Sequence, residues 1–215
     1  MSQPRAVVIT EASSPVARAT AARLARGGNL VLMGTRRPDM CERLATRLRS
    51  GGAAAFAAHL DLADPCSIDR FVESADYLLG TVDVLVTAAG LADGSWVGAQ
   101  HLAAQVIPPM IVNRRGDVVL ISPELVGAVF PGARRMFDAW VSGLEAEFVG
   151  TGVRASTVRS TDPGHLAPDD VGCLIAGVLG SPHPMHLRVL DVIGPVPAPA
   201  LTMEMRAADG PSALS

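Results

Sequence analysis

The stretch Val7-Val8-Ile9-Thr10-Glu11-Ala12-Ser13-Ser14-Pro15-Val16-Ala17 decides the fold. A short β-branched run opens it, small and polar residues interrupt the run, and Pro15 stands where an Ala-rich helical pattern begins. The unit is strand, turn, helix. Outward from it the alternation repeats, with strands at about 5–10, 29–34, 54–60, 82–87, 116–122, 152–158 and 186–193 and helices at about 15–27, 39–50, 66–79, 97–113, 132–149 and 168–180. Short apolar runs alternating with longer helical patterns predict an α/β domain built on a parallel sheet covered on both faces. Asp64 and Asp169 are placed to cap two of the helices.

At 215 residues the chain suits one such domain, since domains of this class run to roughly 200–250 residues. Residues 1–194 read as the domain and 195–215, rich in proline and small residues, as a tail that is disordered or strapped over a neighbour. The opening Met1-Ser2-Gln3-Pro4-Arg5 lacks the charged-then-apolar order of a secretory signal. No stretch reaches the about 18 apolar residues of a membrane span. The expectation is a soluble, unprocessed, cytoplasmic protein with no membrane partner. Cys41, Cys66 and Cys173 are odd in number and scattered, which argues for reduced thiols over a disulfide framework or a zinc site. The net charge of −3 comes without a basic stripe, so nucleic acid is not an expected partner. There is no lysine at all: the 18 basic side chains are all arginine, and Tyr77 is the sole tyrosine.

From Ala6 to about Pro195 the chain resembles the short-chain dehydrogenase/reductase family. The likeness is carried by the opening stretch, by Arg36-Arg37 after the second strand and by Asp61-Leu62 after the third. It continues in Val82-Asp83-Val84-Leu85-Val86-Thr87-Ala88-Ala89-Gly90 and in Gly116-Asp117-Val118-Val119-Leu120-Ile121-Ser122. The resemblance implies a single Rossmann-type, doubly wound parallel sheet of about seven strands. Against the family pattern the segment between Gly90 and Gly98 is short, and the helix after the fourth strand is expected to be missing. Its loss would bare apolar surface that self-association or the C-terminal tail would cover.

A dinucleotide turn needs glycines so that backbone can approach a pyrophosphate. The family's glycine positions here read Glu11, Pro15 and Ala17. Glu11 brings negative charge to an anion site and Pro15 removes a donor, although proline suits the first helical position. The resemblance also assigns cofactor contacts that are present: Ser13 and Ser14 for phosphate oxygens, Arg36 for a 2′-phosphate, Asp61 for the adenine amino group, and Gly90 at the fourth strand's end. The balance predicts no cofactor or only weak NADP(H) binding.

The family's serine, tyrosine and lysine deliver a proton while the nicotinamide delivers hydride, the lysine lowering the phenol's pKa. Here the tyrosine position falls on Met136, the lysine position on Trp140, and the serine position on Pro123 with Ser122 just before it; Ser95 takes the supporting asparagine's place. Glu124, Arg134, Arg135, Asp138, Asp162 and His165 lie on segments that reach the carboxyl end of the sheet. Ser122, Glu124 and His165 are the catalytic candidates, the carboxylate and imidazole as an acid–base pair. Strict counting puts the family's Pro-Gly at Ser160-Thr161, whereas Pro163-Gly164 comes later. Pro184 between His183 and His186 argues against a metal there. Met136, Phe137, Trp140, Leu144 and Phe148 form a core-facing or dimer-facing stripe, and a homodimer or association with a related subunit is expected.

Three functions remain open. The leading expectation is non-redox work on a small pathway intermediate bound in the cleft: dehydration, cyclisation or isomerisation. The alternatives are a non-catalytic pseudoenzyme serving as a partner subunit, and an atypical NADP-dependent reductase using another proton source.

Overall fold

In a computed structural model, which describes residues 3–87, 95–127, 132–181 and 185–194, seven parallel strands form one sheet. The tail from Pro195 lies outside the described residues. The strands are β1 Ala6–Ile9, β2 Leu30–Thr35, β3 Ala55–His59, β4 Val84–Thr87, β5 Gly116–Ile121, β6 Val153–Asp162 and β7 Val189–Ile193, in spatial order β3-β2-β1-β4-β5-β6-β7. The helices are α1 Pro15–Arg26, α2 Pro38–Ser50, α3 Pro65–Leu79, α4 Ser95–Val112, α5 Ala133–Glu147 and α6 Pro168–Gly180. Proline opens α1, α2, α3 and α6, where its fixed φ suits the first turn and its missing N–H costs nothing. Asp64 caps α3, its Oδ1 accepting from the Cys66 amide at 3.0 Å. Asp169 does not cap α6: Ala167 holds that position, and Asp169 sits in the first turn, facing the helix dipole.

Side chains alternate across each strand, so the apolar runs feed two cores. Val8, Leu85, Val118 and Leu120 point to α3, α4 and α5, while Val7, Ile9, Val84, Val119 and Ile121 point to α1, α2 and α6.

The helix after the fourth strand is present, which corrects the sequence expectation. Helix α4 follows β4 directly and buries nine residues, Trp96 and Met110 among them. The short count between Gly90 and Gly98 trims the connection, and α4 itself covers the face that was expected to be bare. Gly98 lets it come close: a Cβ there would lie 1.7 Å from the Leu62 carbonyl oxygen. Pro108 and Pro109 lie within α4, and they deprive the carbonyls of Ala104 and Gln105 of helical donors. Both prolines are exposed, so water can serve those carbonyls. Among the described residues no helix is long and apolar enough to cross a membrane.

Candidate active site

In an open parallel sheet ligands bind beyond the carboxyl ends of the strands, where the winding reverses. Here that point lies between β1 and β4. The turn after β1 keeps its shape without glycine: Glu11 takes the left-handed conformation at φ 48°. The Ala12 amide donates to Gly34 O at 3.0 Å and the Ser14 amide to Glu11 O at 2.9 Å. The Ser14 hydroxyl accepts from the Ala17 amide at 3.1 Å and so caps α1. Arg18 donates to Ser13 O at 2.6 Å. Arg36 directly follows β2 as an exposed side chain, and the Arg37 amide donates to Thr35 Oγ1 at 3.2 Å. Asp61 Oδ1 accepts the Ala63 amide at 3.0 Å, while its own amide donates to Ser67 Oγ at 3.0 Å. Gly90 lies outside the described residues.

A dinucleotide fits this edge in backbone shape. The turn is tight and Ser14 organises the start of α1. Arg36 and Asp61 stand at the ends of the strand and loop that would flank the adenosine. Glu11 reduces the favourable field for a pyrophosphate without closing the turn.

At the other side of the cleft Ser122 extends the β5 ladder by one step, its amide donating to Val158 O at 2.9 Å. Its hydroxyl is fully buried and has no hydrogen-bond partner among the described residues. Glu124 lies in the short 3-10 turn Pro123–Val126; its Oε1 is 3.8 Å from Arg134, and its Oε2 is buried with no partner among the described residues. His165 Nδ1 is 2.8 Å from Asp162 Oδ2, both side chains being about half exposed. Glu124 and His165 therefore engage different partners. Asp138 lies 3.7 Å from Arg134 and 3.5 Å from Arg159, and Arg159 lies 3.3 Å from Asp191.

Arg159 escaped the sequence reading. The Ser122 to Val158 bond places it beside Ser122, and the alternation of β6 turns it to the α5 side. It was hidden because the strand was ended at residue 158. Strand β6 instead runs on to Asp162 with an irregularity between Ser160 and Asp162, which accounts for the late Pro163-Gly164.

Met136 is 43% exposed on α5, and Trp140 packs edge-on against Trp96 at 4.9 Å. The expected stripe thus divides: Phe137, Leu144 and Phe148 are buried in the core, and Met136 faces outward. Tyr77 is 89% exposed near the end of α3, which returns toward the amino edge of the sheet and away from this cleft. His183 lies outside the described residues; His186 Nε2 is 2.6 Å from Ala155 O. Among the described residues no cluster of His, Cys, Asp and Glu could hold a metal ion.

The family model for short chain dehydrogenase matches residues 5–159. The chain belongs to the short-chain dehydrogenase family. A glycine betaine reductase of Emericella nidulans is 31% identical over 78% of this chain and 15% of its own. A 1-deoxy-11-beta-hydroxypentalenate dehydrogenase of Streptomyces exfoliatus is 30% identical over 73% of this chain and 66% of its own. The chain therefore spans less than two thirds of the length of either of these relatives. In fold it is similar to a metagenomic short-chain oxidoreductase solved in complex with NADP, with a TM-score of 0.77 at 22% identity over 89% of this chain and 98% of that one.

These findings correct two expectations. The non-redox and pseudoenzyme readings give way, because the relatives are reductases and dehydrogenases. The expectation of no cofactor or weak NADP(H) binding gives way to solved relatives of the same fold that hold NADP. Glu11, at one of the family's glycine positions, adopts a left-handed backbone conformation that glycine takes most readily.

Proposed function

We propose that the protein is an NADP(H)-dependent oxidoreductase acting on a small carbonyl or alcohol substrate, with its proton handled by a group other than a tyrosine phenol. The observation that carries this reading is Ser122: a buried hydroxyl, without a partner among the described residues, at the carboxyl end of β5. A buried hydroxyl without a partner is costly, and a substrate oxygen would satisfy it.

Arg36 is assigned to the 2′-phosphate, Asp61 to the adenine amino group, and Ser13 and Ser14 to the diphosphate. Held by these residues, a dinucleotide would supply the hydride chemistry. The chain's own part is to hold the substrate oxygen and manage its proton. Ser122 Oγ–H donates to that oxygen. Glu124, two residues on, holds the proton at Oε2, and His165, oriented by Asp162, exchanges protons with solvent. Met136 and Trp140, at the family's tyrosine and lysine positions, offer no acid or base for this step. A homodimer belongs to the same reading: Val97 and Val112 of α4 and Val149 beyond α5 are 68%, 80% and 80% exposed.

Titration with NADPH and NADH by calorimetry tests the proposal. NADPH is expected to bind at submillimolar concentration and more tightly than NADH, with Arg36→Ala erasing the preference. Glu11→Gly removes a charge of the wrong sign and is expected to tighten NADPH by about three- to tenfold, from an estimated 0.6–1.4 kcal/mol. Failure of both wild type and Glu11→Gly to bind NADPH would overturn the reading.

A further inference from the structure

The amino-terminal edge of the sheet, opposite the dinucleotide cleft, holds a cavity of about 490 Å³. Arg5 precedes β1, Arg115 precedes β5, Arg154 is the second residue of β6, and Arg23 is on the last turn of α1; all four line it, and no carboxylate does. We propose that this cavity is a binding site for a small, multiply charged oxyanion.

Asp117, just behind the wall, is shared by two guanidiniums: it lies 2.5 Å from Arg5 and receives Arg154 through two bonds, at 2.6 and 3.1 Å. The ends of α1 and α6 also face the cavity, and Arg5 donates to Leu179 O at 3.5 Å and Arg154 to Ser181 O at 3.4 Å. Each helix end contributes about half a negative charge. Asp83 adds another carboxylate nearby, its Oδ2 accepting the Ala6 amide at 3.0 Å. Four guanidiniums still leave about one net positive charge, carried by the exposed Arg23 and Arg115, while the paired Arg154 and Asp117 side chains are 8% and 5% exposed.

Donors are left over as well as charge. Arg5 Nε is buried with no partner among the described residues. Arg23 reaches Cys173 Sγ at 3.1 Å, a weak acceptor. Arg115 makes no ion pair or side-chain hydrogen bond among the described residues. Planar guanidiniums are matched to carboxylate and phosphate oxygens. Val7 and Val84, neighbours in the β1–β4 ladder, give the cavity an aliphatic floor with Leu24 and Leu179. The occupant thus has an oxyanion head and a short apolar body. A phosphate ester and a polycarboxylate share that head chemistry.

Calorimetry on the full chain with pyrophosphate and, separately, citrate tests this, each with and without saturating NADP⁺. At least one probe is expected to bind at submillimolar concentration in both conditions. Combining Arg23→Ala with Arg115→Ala, both exposed positions, is expected to weaken it at least tenfold while the melting temperature stays unchanged. Arg36→Ala is expected to leave it unaltered. Tighter pyrophosphate identifies the phosphate source, and tighter citrate the polycarboxylate. Binding that vanishes in NADP⁺, or that survives the double arginine variant, overturns the proposal. Because Arg36 marks the cleft and Arg115 the cavity, failure of NADP⁺ to bind is told apart from failure of this site.

Discussion

The Cys41 thiol lies 3.2 Å from the carbonyl oxygen of Ala12, fastening α2 to the turn that opens the cleft. Burial pushes this thiol above its ordinary 9.0, while Arg18 pulls weakly the other way. Below that ordinary value the thiol is neutral in both folded and unfolded chains, and its stabilising effect is complete. As pH rises past it, the unfolded chain ionises first and stability falls until the folded thiol ionises too. Urea unfolding at a series of pH values is expected to show this decline above about pH 9, at no more than about 1.4 kcal/mol per pH unit. Cys41→Ala is expected to flatten it, since Cys66 and Cys173 are exposed.

Gly98 is where α4 meets the loop that carries Asp61. A Cβ there would stand 1.7 Å from Leu62 O and 2.6 Å from its carbonyl carbon. Backbone meets backbone, so no side chain can swing aside. Gly98→Ala is expected to destabilise the protein by about 3 kcal/mol. Denaturant unfolding measures that loss. NADPH titration of whatever remains folded should also weaken, because the Asp61–Leu62 segment must shift.

Asp117 is shared by two nearly buried arginines, Arg5 and Arg154. Asp117→Asn keeps the shape and removes the charge, leaving Arg5 and Arg154 facing each other. The expected loss is about 3–5 kcal/mol, as for a buried ion pair deprived of one partner. A surface pair such as Arg49 with Glu42 is the control: Glu42→Gln is expected to change stability by less than about 1 kcal/mol. Equal effects from the two substitutions would show the buried network to be energetically idle.

The strands and helices were legible because local chemistry and tertiary role agree. Pro15, Pro38, Pro65 and Pro168 start helices by their fixed φ, and the apolar runs at Val84–Thr87 and Gly116–Ile121 are buried from end to end. The helix after β4 was misjudged because residues were counted against a template, while α4 reaches its place through the close approach at Gly98. At the site, Glu11 looked like a lesion by residue type, yet its φ of 48° is a backbone property that composition does not report. Arg159 was invisible because its importance comes from β6 running past residue 158 and setting it beside Ser122. Parallel-sheet neighbours are distant in sequence, so such juxtapositions belong to the fold and not to any local motif.

Ser122→Ala separates structure from chemistry. Ser122 is the residue before the 3-10 turn and makes no side-chain capping bond, so removing its hydroxyl deletes no interaction within the described residues. It also relieves a buried, unpartnered polar group, whose burial costs about 1–3 kcal/mol. Unfolding measurements are therefore expected to find the variant as stable as wild type or up to about 1 kcal/mol more stable. NADPH affinity is expected to be unchanged, because the hydroxyl is assigned to the substrate oxygen. Turnover of a carbonyl substrate, followed as NADPH consumption, is expected to fall by about a hundredfold, as when one donor to a developing oxyanion is removed. A variant that keeps full turnover would take Ser122 out of the reaction; one that loses stability along with turnover would make its role structural.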